Sequence, residues 1–174
     1  MLPAALSAVV ARAQAKRQTR RCADATLMPA PDDADAVASA TLCVINAERA
    51  HHHLRPLRAN AALAQVARGQ SEDMVHGNYF ADHSLNGRTP LERIVPAVEP
   101  ARVARAGQNI GCGSGGSSTA AGIVRAWMQS PPHRRIILTG AYTQAGVGVT
   151  SSLPSVLELG SSGATYTLDV TALG

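Results

Sequence analysis

Aromatic residues are scarce in this 174-residue sequence, which contains one tryptophan, one phenylalanine and three tyrosines. Its hydrophobic core must therefore be built mainly from Ala, Val, Leu and Ile. Lysine is also scarce, because Lys16 is the single lysine and all other basic residues apart from histidine are arginines. The length suits one compact domain with short extensions.

Acidic residues are absent from positions 1–21, which contain five of the basic residues. The formal net charge of +4 comes from this leader, since the rest of the chain has 11 basic and 12 acidic residues. No stripe of basic residues interleaved with aromatics follows it. The charge pattern therefore argues against a nucleic-acid partner.

Long apolar runs are lacking after the leader, and no later segment approaches the roughly 20 apolar residues of a membrane-spanning helix. The leader has an apolar run from Leu2 to Val10 followed by Ala-x-Ala spacings, as in the latter part of a secretory signal. Its basic residues follow the run instead of preceding it, which is typical of a truncated signal segment. A short amphipathic or disordered tail is the alternative.

Three cysteines occur, at positions 22, 43 and 112. In an exported protein, a bond between Cys22 and Cys43 would staple the Asp/Pro-rich segment between them onto the body, with a loop-closure contribution of about 3 kcal/mol. Cys112 would then be the odd thiol. Three buried, reduced cysteines in a cytosolic protein are the alternative.

Helical patterns dominate the middle of the chain. Residues 36–50 repeat apolar side chains at helical spacing, with Asp33 and Asp35 available as caps. Further helices are predicted after the capping residues Asn60 and Thr119 and at the helix-starting prolines 90 and 131–132. We therefore divide the chain into a leader (1–21), an Asp/Pro-rich linker (22–35) and one domain (36–174).

Strand-like runs come last, in "AGVGVTSS", "SVLELG" and "ATYTLDV", with "GSSG" as a hairpin turn. Helices first and strands last predict an α+β fold with a mainly antiparallel sheet covered by helices. An earlier strand is indicated in "AGQNIGCGSGG", residues 106–116, where Gln108 and Asn109 stand side by side. Because buried amides must find hydrogen-bond partners, other parts of the fold have to meet these two side chains.

Five segments in order, "NAERAHHHLRPL", "SEDMVHGNYFADHSLNGRTPLERI", "GQNIGCG", "WMQSPPHRRIIL" and "AGVGV", resemble the bacterial branch of the CAP superfamily, the cysteine-rich secretory, antigen 5 and pathogenesis-related-1 group. The resemblance covers about Ala36 to Val170. It implies a three-layer α-β-α sandwich and an extracellular or cell-envelope-associated protein. In that setting, a Cys22–Cys43 disulfide with Cys112 free is expected.

The resemblance also implies a central cleft with two histidines and one or two glutamates. The histidines fall on His83 in "ADHS" and His133 in "PPHRR", and the glutamate of the "GENI" segment falls on Gln108. The second glutamate of animal and plant members falls on Ser130. Gln108 keeps the shape of a glutamate but lacks its charge, so it offers a carbonyl acceptor and amide donors in place of a ligand anion or general base.

These residues leave several functions open. The main hypothesis is a non-catalytic binding module for a small amphiphile, lipid or cell-envelope component, with His83, Gln108 and His133 converging in the cleft. No cofactor is required, although His83 and His133 could hold Zn²⁺ in a weak metal-assisted hydrolase. A structural secreted protein without a small ligand is the third hypothesis. An enzyme is disfavoured because the general-base carboxylate is missing and no Gly-x-Ser-x-Gly elbow occurs.

Overall fold

A computed structural model describes residues 22–99, 102–160 and 162–174, so the leader lies outside the described chain. The helices are α1 (Ala34–His51), α2 (Ala61–His76), α3 (Pro90–Ile94), α4 (Ala120–Gln129) and α5 (Pro131–Leu138). The strands are β1 (Arg58–Ala59), β2 (Val103–Ser114), β3 (Gln144–Thr150) and β4 (Gly163–Leu173). None of the helices in these ranges is long and apolar enough to cross a membrane.

The four strands form one sheet in the order β1-β3-β4-β2. The long strands β3, β4 and β2 pair antiparallel, whereas the two-residue β1 runs parallel to β3. Helix α2 packs on β3 and β4, and the opposite face of the sheet is covered by α1, α4 and α5. The predicted α+β sandwich is confirmed, with a sheet that is mixed rather than purely antiparallel.

The apolar core lies between the sheet and helices α1, α4 and α5. Its largest members are Trp127 on α4 and Tyr166 on β4, whose rings meet edge to face with centroids 6.5 Å apart. Trp127 Nε1 donates a 2.9 Å hydrogen bond to the carbonyl of Ile110 on β2. The few aromatic residues thus hold α4 against the sheet, while aliphatic side chains fill the rest of this core.

Polar side chains line the other face of β4, beneath α2. Thr165, Thr167, Asp169 and Thr171 are all fully buried there. Ser71 of α2 donates a 2.9 Å hydrogen bond to Thr167 Oγ1. The alternation in "ATYTLDV" therefore separates two buried layers, one apolar and one polar.

Gly146 and Gly148 of β3 allow α2 to lie directly on the sheet. A Cβ atom at Gly146 would meet the backbone of Leu63 and Ala64, and a Cβ atom at Gly148 would meet the backbone of Ala67 and Arg68. Backbone cannot move aside as a flexible side chain can. The two glycines of "AGVGV" are therefore a packing requirement of the α2 layer.

The predicted helix starts at Asn60 and Thr119 are confirmed, because each side chain accepts a backbone hydrogen bond from the first turn of its helix. Thr89 forms a full capping box with Glu92 at the start of α3. Asp33 occupies the N-cap position of α1 without a side-chain capping bond, and Asp35 pairs instead with Arg68 of α2.

The predicted disulfide between Cys22 and Cys43 is present, with the two Cα atoms 5.8 Å apart. It joins the segment before α1 to the middle of that helix. Cys22 and Ala25 are buried, and the carbonyl of Ala25 accepts a 2.8 Å hydrogen bond from the amide of Ala121. Cys112 is the free thiol, as expected.

The segment "SVLELG" is not the strand that its composition predicts. Residues Ser155–Leu157 form a 3-10 turn, and Glu158 follows with a left-handed backbone at φ 53°. The amide of Val156 donates a 2.8 Å hydrogen bond to Asn78 Oδ1 instead of joining the sheet. Its apolar side chains Val156 and Leu159 are exposed, so no buried layer favours an extended strand here.

Arg49 of α1 is a fully buried arginine that ties three parts of the fold together. Its guanidinium donates hydrogen bonds to the carbonyls of Arg55 (2.9 Å), Ile137 (2.7 Å), Thr139 (3.0 Å) and Tyr142 (3.3 Å). Burial lowers the pKa of this group. Four carbonyl oxygens therefore take the place of the water that the buried guanidinium has lost. No carboxylate takes part in these hydrogen bonds.

Candidate functional site

The candidate site begins with a pair of side chains on neighbouring strands. Gln108 of β2 and Asp169 of β4 are Cα partners in the antiparallel ladder, so their side chains lie on the same face of the sheet. Gln108 Nε2 donates a 2.8 Å hydrogen bond to Asp169 Oδ1. This contact is one of the hydrogen bonds that the amide of Gln108 was expected to make.

Asp169 is a fully buried carboxylic acid. Its second oxygen, Oδ2, is buried without a hydrogen-bond partner among the described residues. Burial raises the pKa of Asp169 to about 7, while the hydrogen bond from Gln108 and the charge of Arg93 act in the opposite direction. The carboxyl group therefore titrates near neutral pH inside the fold.

Arg93 of α3 connects this pair to the preceding loop. Its Nη2 donates to Gln108 Oε1 at 3.2 Å and to the carbonyl of Asp82 at 2.6 Å. Its Nη1 donates to Ser84 Oγ at 3.1 Å and to the carbonyl of Arg88 at 2.8 Å. One guanidinium thus fixes the loop on both sides of His83 and faces the oxygen of Gln108.

Both ends of the Gln108 amide are therefore occupied, with Arg93 on the oxygen and Asp169 on the nitrogen. Asn109, the next residue on β2, points to the opposite face of the sheet, as strand geometry requires. Asn109 Nδ2 donates a 3.0 Å hydrogen bond to the carbonyl of His133 at the start of α5. Asn109 therefore has a structural role, because its side chain fixes the start of α5 to β2.

The two predicted cleft histidines lie on different elements. His83 is exposed in the loop held by Arg93. His133 is half-buried in the first turn of α5, where its Nδ1 lies 2.9 Å from Ser130 Oγ. No hydrogen bond among the described residues joins His83, Gln108 and His133 to one another. Their convergence on one cleft stays a prediction.

A zinc ion does not fit the donors at Gln108. Its carbonyl oxygen faces the cationic guanidinium of Arg93, which repels a second cation, and its nitrogen is a hydrogen-bond donor. Within the described ranges, no group of three or more His, Cys, Asp or Glu side chains is arranged to hold a metal ion. The side chains around Gln108 therefore do not form a metal centre.

A cavity of about 440 Å³ opens between α2 and the loop that Arg93 holds. Its lining combines cationic, acidic, amide and small apolar groups: Val66, Gly69, Gln70, Asp73, Ser84, Asn86, Arg88 and Arg93. Gln70 is buried at its base, where Nε2 donates to the carbonyl of Ala81 (3.1 Å) and Oε1 accepts from Ser84 (3.3 Å). The wall of the cavity is therefore held by side chains that are already hydrogen-bonded.

Sequence reasoning missed Asp169, Arg93 and Gln70. Asp169 stands on the polar side of an alternating strand, and that side faces α2 instead of solvent. Arg93 and Gln70 lie in helices, where a polar residue is ordinarily an exposed one. The one available signal was the Gln108 amide itself, which required polar partners somewhere in the fold.

The fold places this chain in the class of α-β-α sandwich domains. A disulfide joins the segment before its first long helix to that helix. Residues 42–154 match the family described as CAP: Cysteine-rich secretory protein family, and the chain belongs to this family. The resemblance stated from the sequence motifs is thereby confirmed.

Among curated proteins, the chain is 33% identical over 127 residues to the uncharacterized protein YkwD of Bacillus subtilis, covering 73% of this chain and 48% of that protein. It is 34% identical over 108 residues to the uncharacterized membrane protein YlbC of the same organism, covering 62% of this chain and 30% of that protein. The chain thus spans at most about half the length of these relatives.

Among solved structures, the fold is similar to an extracellular protein containing a SCP domain from Bacillus anthracis, with a TM-score of 0.67 and 25% identity over 83% of this chain and 44% of that chain. It is also similar to a cysteine-rich secretory protein from Staphylococcus aureus, with a TM-score of 0.58 and 20% identity over 80% of this chain and 39% of that chain. The second likeness concerns the fold alone.

Proposed function

We propose that this chain is an extracellular, non-catalytic binding domain that accepts a small amphiphile, lipid or cell-envelope component. Export is supported by the Cys22–Cys43 disulfide, since such bonds persist in oxidising compartments. The similar Bacillus anthracis protein is described as extracellular, which agrees with this assignment.

The observation that carries the proposal is the cavity beside Arg93. Its volume of about 440 Å³ lies within the range of small-molecule pockets, about 300–1,000 Å³. Val66 and Gly69 give it an apolar strip, whereas Arg88 and Asn86 offer donors to an anionic or carbonyl-bearing head. A ligand with a polar head and a short apolar part matches this lining.

The buried groups support binding rather than catalysis. Gln108 is neutral, and both ends of its amide are engaged. Asp169 has a pKa near neutrality, as a general base needs, but it is fully buried beneath α2 and contacts no open space. Metal-assisted hydrolysis by His83 and His133, the alternative function, would need an accessible carboxylate base. Neither Gln108 nor Asp169 supplies one.

Gly69 allows a test that separates binding from folding. It lies on α2 at the cavity wall, and a Cβ atom there would meet nothing within 4 Å. Gly69→Leu should therefore fold and extend its side chain into the cavity. Gly69→Ala is the matched control, since it makes the same backbone change but leaves most of the volume open.

The experiment is an NMR titration of the parent and both variants with dihexanoyl phosphatidic acid, a short anionic amphiphile, kept below its micelle concentration. We expect shifts at Ser84, Asn86 and Arg88 in the parent and in Gly69→Ala, and their loss in Gly69→Leu. Binding that is unchanged in Gly69→Leu would place the ligand elsewhere. No binding to this probe or to an envelope lipid extract would favour a structural secreted protein.

A further inference from the structure

Charge is segregated along the chain outside the leader. Between Glu99 and Glu158 the sequence contains five arginines and no aspartate or glutamate. Residues 22–99, in contrast, contain ten acidic and six basic residues. A domain that is close to neutral as a whole therefore has one basic part, whose arginines lie directly before β2 and on β2, α4 and α5.

Four of these arginines lie on the side of the sheet covered by α4 and α5, and we call them the basic face: Arg105, Arg125, Arg134 and Arg135. Arg125 belongs to α4, and Arg134 and Arg135 belong to α5. Arg105 lies on β2 two residues before Gly107, whose backbone approaches Ile136 of α5, so strand alternation places Arg105 on the same side.

The guanidiniums of the basic face are exposed and have no carboxylate partner among the described residues. The fifth arginine of the segment, Arg102, differs because it pairs with Glu99 at 3.1 Å. Helix α1 packs against α4 and α5 but contributes no ion pair to either in the described chain. The positive charge of this face is therefore available to a partner.

Arg134 and Arg135 also border a groove of about 300 Å³ between α4 and α5. The other residues that line this groove are Met128, Gln129, Pro131 and Leu138. Apart from the two guanidiniums, the side chains that line the groove are uncharged. It offers space for short, uncharged links between successive anionic groups of a chain.

We propose that the basic face docks a polyanion of the cell envelope in which phosphodiesters link small polyol units. The planar guanidinium fork matches phosphate oxygens in pairs, and several arginines on one face match a repeated charge better than a single anion. This surface is separate from the cavity beside Arg93, which lies on the α2 side of the sheet.

Two other anionic partners fit the basic face less well. A bilayer would engage exposed apolar side chains, but none of the large exposed ones among the described residues belongs to β2, α4 or α5: Met28, Leu85, Leu91, Val156 and Leu159. Single-stranded nucleic acid would stack its bases on aromatic rings, and the aromatic residues of this half, Trp127, Tyr142 and Tyr166, are buried.

The test uses a fluorescently labelled synthetic glycerol phosphate oligomer and measures its binding by anisotropy at low and high salt. The double variant Arg134→Gln/Arg135→Gln should lose about tenfold or more in affinity, because charge-assisted hydrogen bonds are lost. Its affinity should also depend less steeply on salt, since fewer counterions are released. Thermal unfolding of each variant confirms that it is folded.

The matched control is Arg55→Gln/Arg58→Gln, which removes the same charge from two exposed arginines before and on β1. This variant should keep the parent's affinity. An equal loss in both double variants would mean that only net charge matters, and the docking face would be wrong. Gly69→Leu should bind the oligomer with the parent's affinity. The proposal of ligand binding in the cavity and the proposal of polyanion docking on the basic face can therefore fail independently.

Two competitors decide the identity of the polyanion. Single-stranded DNA with the same number of phosphates and vesicles of phosphatidylglycerol should each bind more weakly than the oligomer. DNA that binds as tightly would overturn the assignment in favour of any phosphodiester chain. Vesicles that bind more tightly would replace it with docking to a membrane.

Discussion

Gln108 on β2 and Asp169 on β4 face each other across the ladder, and the amide nitrogen of Gln108 donates a 2.8 Å hydrogen bond to the carboxyl group of Asp169. This contact explains why a glutamine suits a position where the family resemblance places a glutamate. A glutamate there would put a second carboxylate against a buried acid, whereas glutamine donates a hydrogen bond to it and still accepts one from Arg93.

Asp169→Asn should change how stability depends on pH. The pKa of Asp169 in the folded protein is about 7, well above its ordinary value of 3.8. The folded state therefore holds a proton that the unfolded chain releases between about pH 4 and pH 7, and the parent loses stability as the pH rises through that interval.

The asparagine variant lacks this titration. Its melting temperature relative to the parent should rise from pH 4 to pH 8, by an amount corresponding to a few kcal/mol of unfolding free energy. Differential scanning calorimetry across this range measures the difference, and the remaining acidic groups cancel in the comparison. Parallel pH profiles for the two proteins would show that Asp169 does not titrate in this range.

Gln108→Glu should create a pair of carboxyl groups that shares one proton. Two carboxylates in contact do not ionise together easily, and Arg93 offsets only part of their repulsion. We expect a protein that is close to the parent in stability at pH 5 and increasingly less stable towards pH 8. Urea unfolding at both pH values checks this. Gln108→Asn, which shortens the side chain without adding charge, is the control and should show a weaker trend, because it loses only the hydrogen bond that opposes the raised pKa of Asp169.

Removal of the disulfide by Cys22→Ser/Cys43→Ser should destabilise the protein by about 3 kcal/mol, through the entropy of the closed loop in the unfolded chain. Urea unfolding of the double variant and of the parent gives this difference. A reducing agent should move the parent towards the variant and leave the variant itself unchanged. A reduced parent that keeps its full stability would contradict a stabilising role for this bond.

Arg49→Lys should destabilise the fold by about 3 kcal/mol, although the positive charge is kept. A lysine ammonium cannot reach the four carbonyl oxygens that the guanidinium binds, so buried acceptors between α1 and the end of α5 would lose their donor. Arg55→Lys, at an exposed position, is the matched control and should change little. Similar stability of the two variants would show that the Arg49 network contributes less than its burial indicates.

The local chemistry of the sequence determined the helices, three of their capping residues, the strand at Gln108 and the last strand. Asn60, Thr89 and Thr119 act through hydrogen bonds to amides three residues away, so short-range reasoning is sufficient for them. The order of five motifs also indicated the family, and the family with the cysteine positions indicated the disulfide. "SVLELG" shows the limit of this reasoning, because its composition favours a strand but the segment forms a 3-10 turn. A strand also needs a neighbouring strand to pair with and a buried layer to pack against.

The tertiary structure alone decided which polar residues are buried and what they contact. Asp169 belongs to the candidate site because α2 covers its face of β4, and Arg93 belongs to it because α3 folds back over β2. Gly146 and Gly148 acquire their role from the backbone of α2, more than 70 residues earlier in the chain. The sequence shows periodicity along one strand or helix, but the partner of each face depends on strand order and register, which arise from contacts between distant segments.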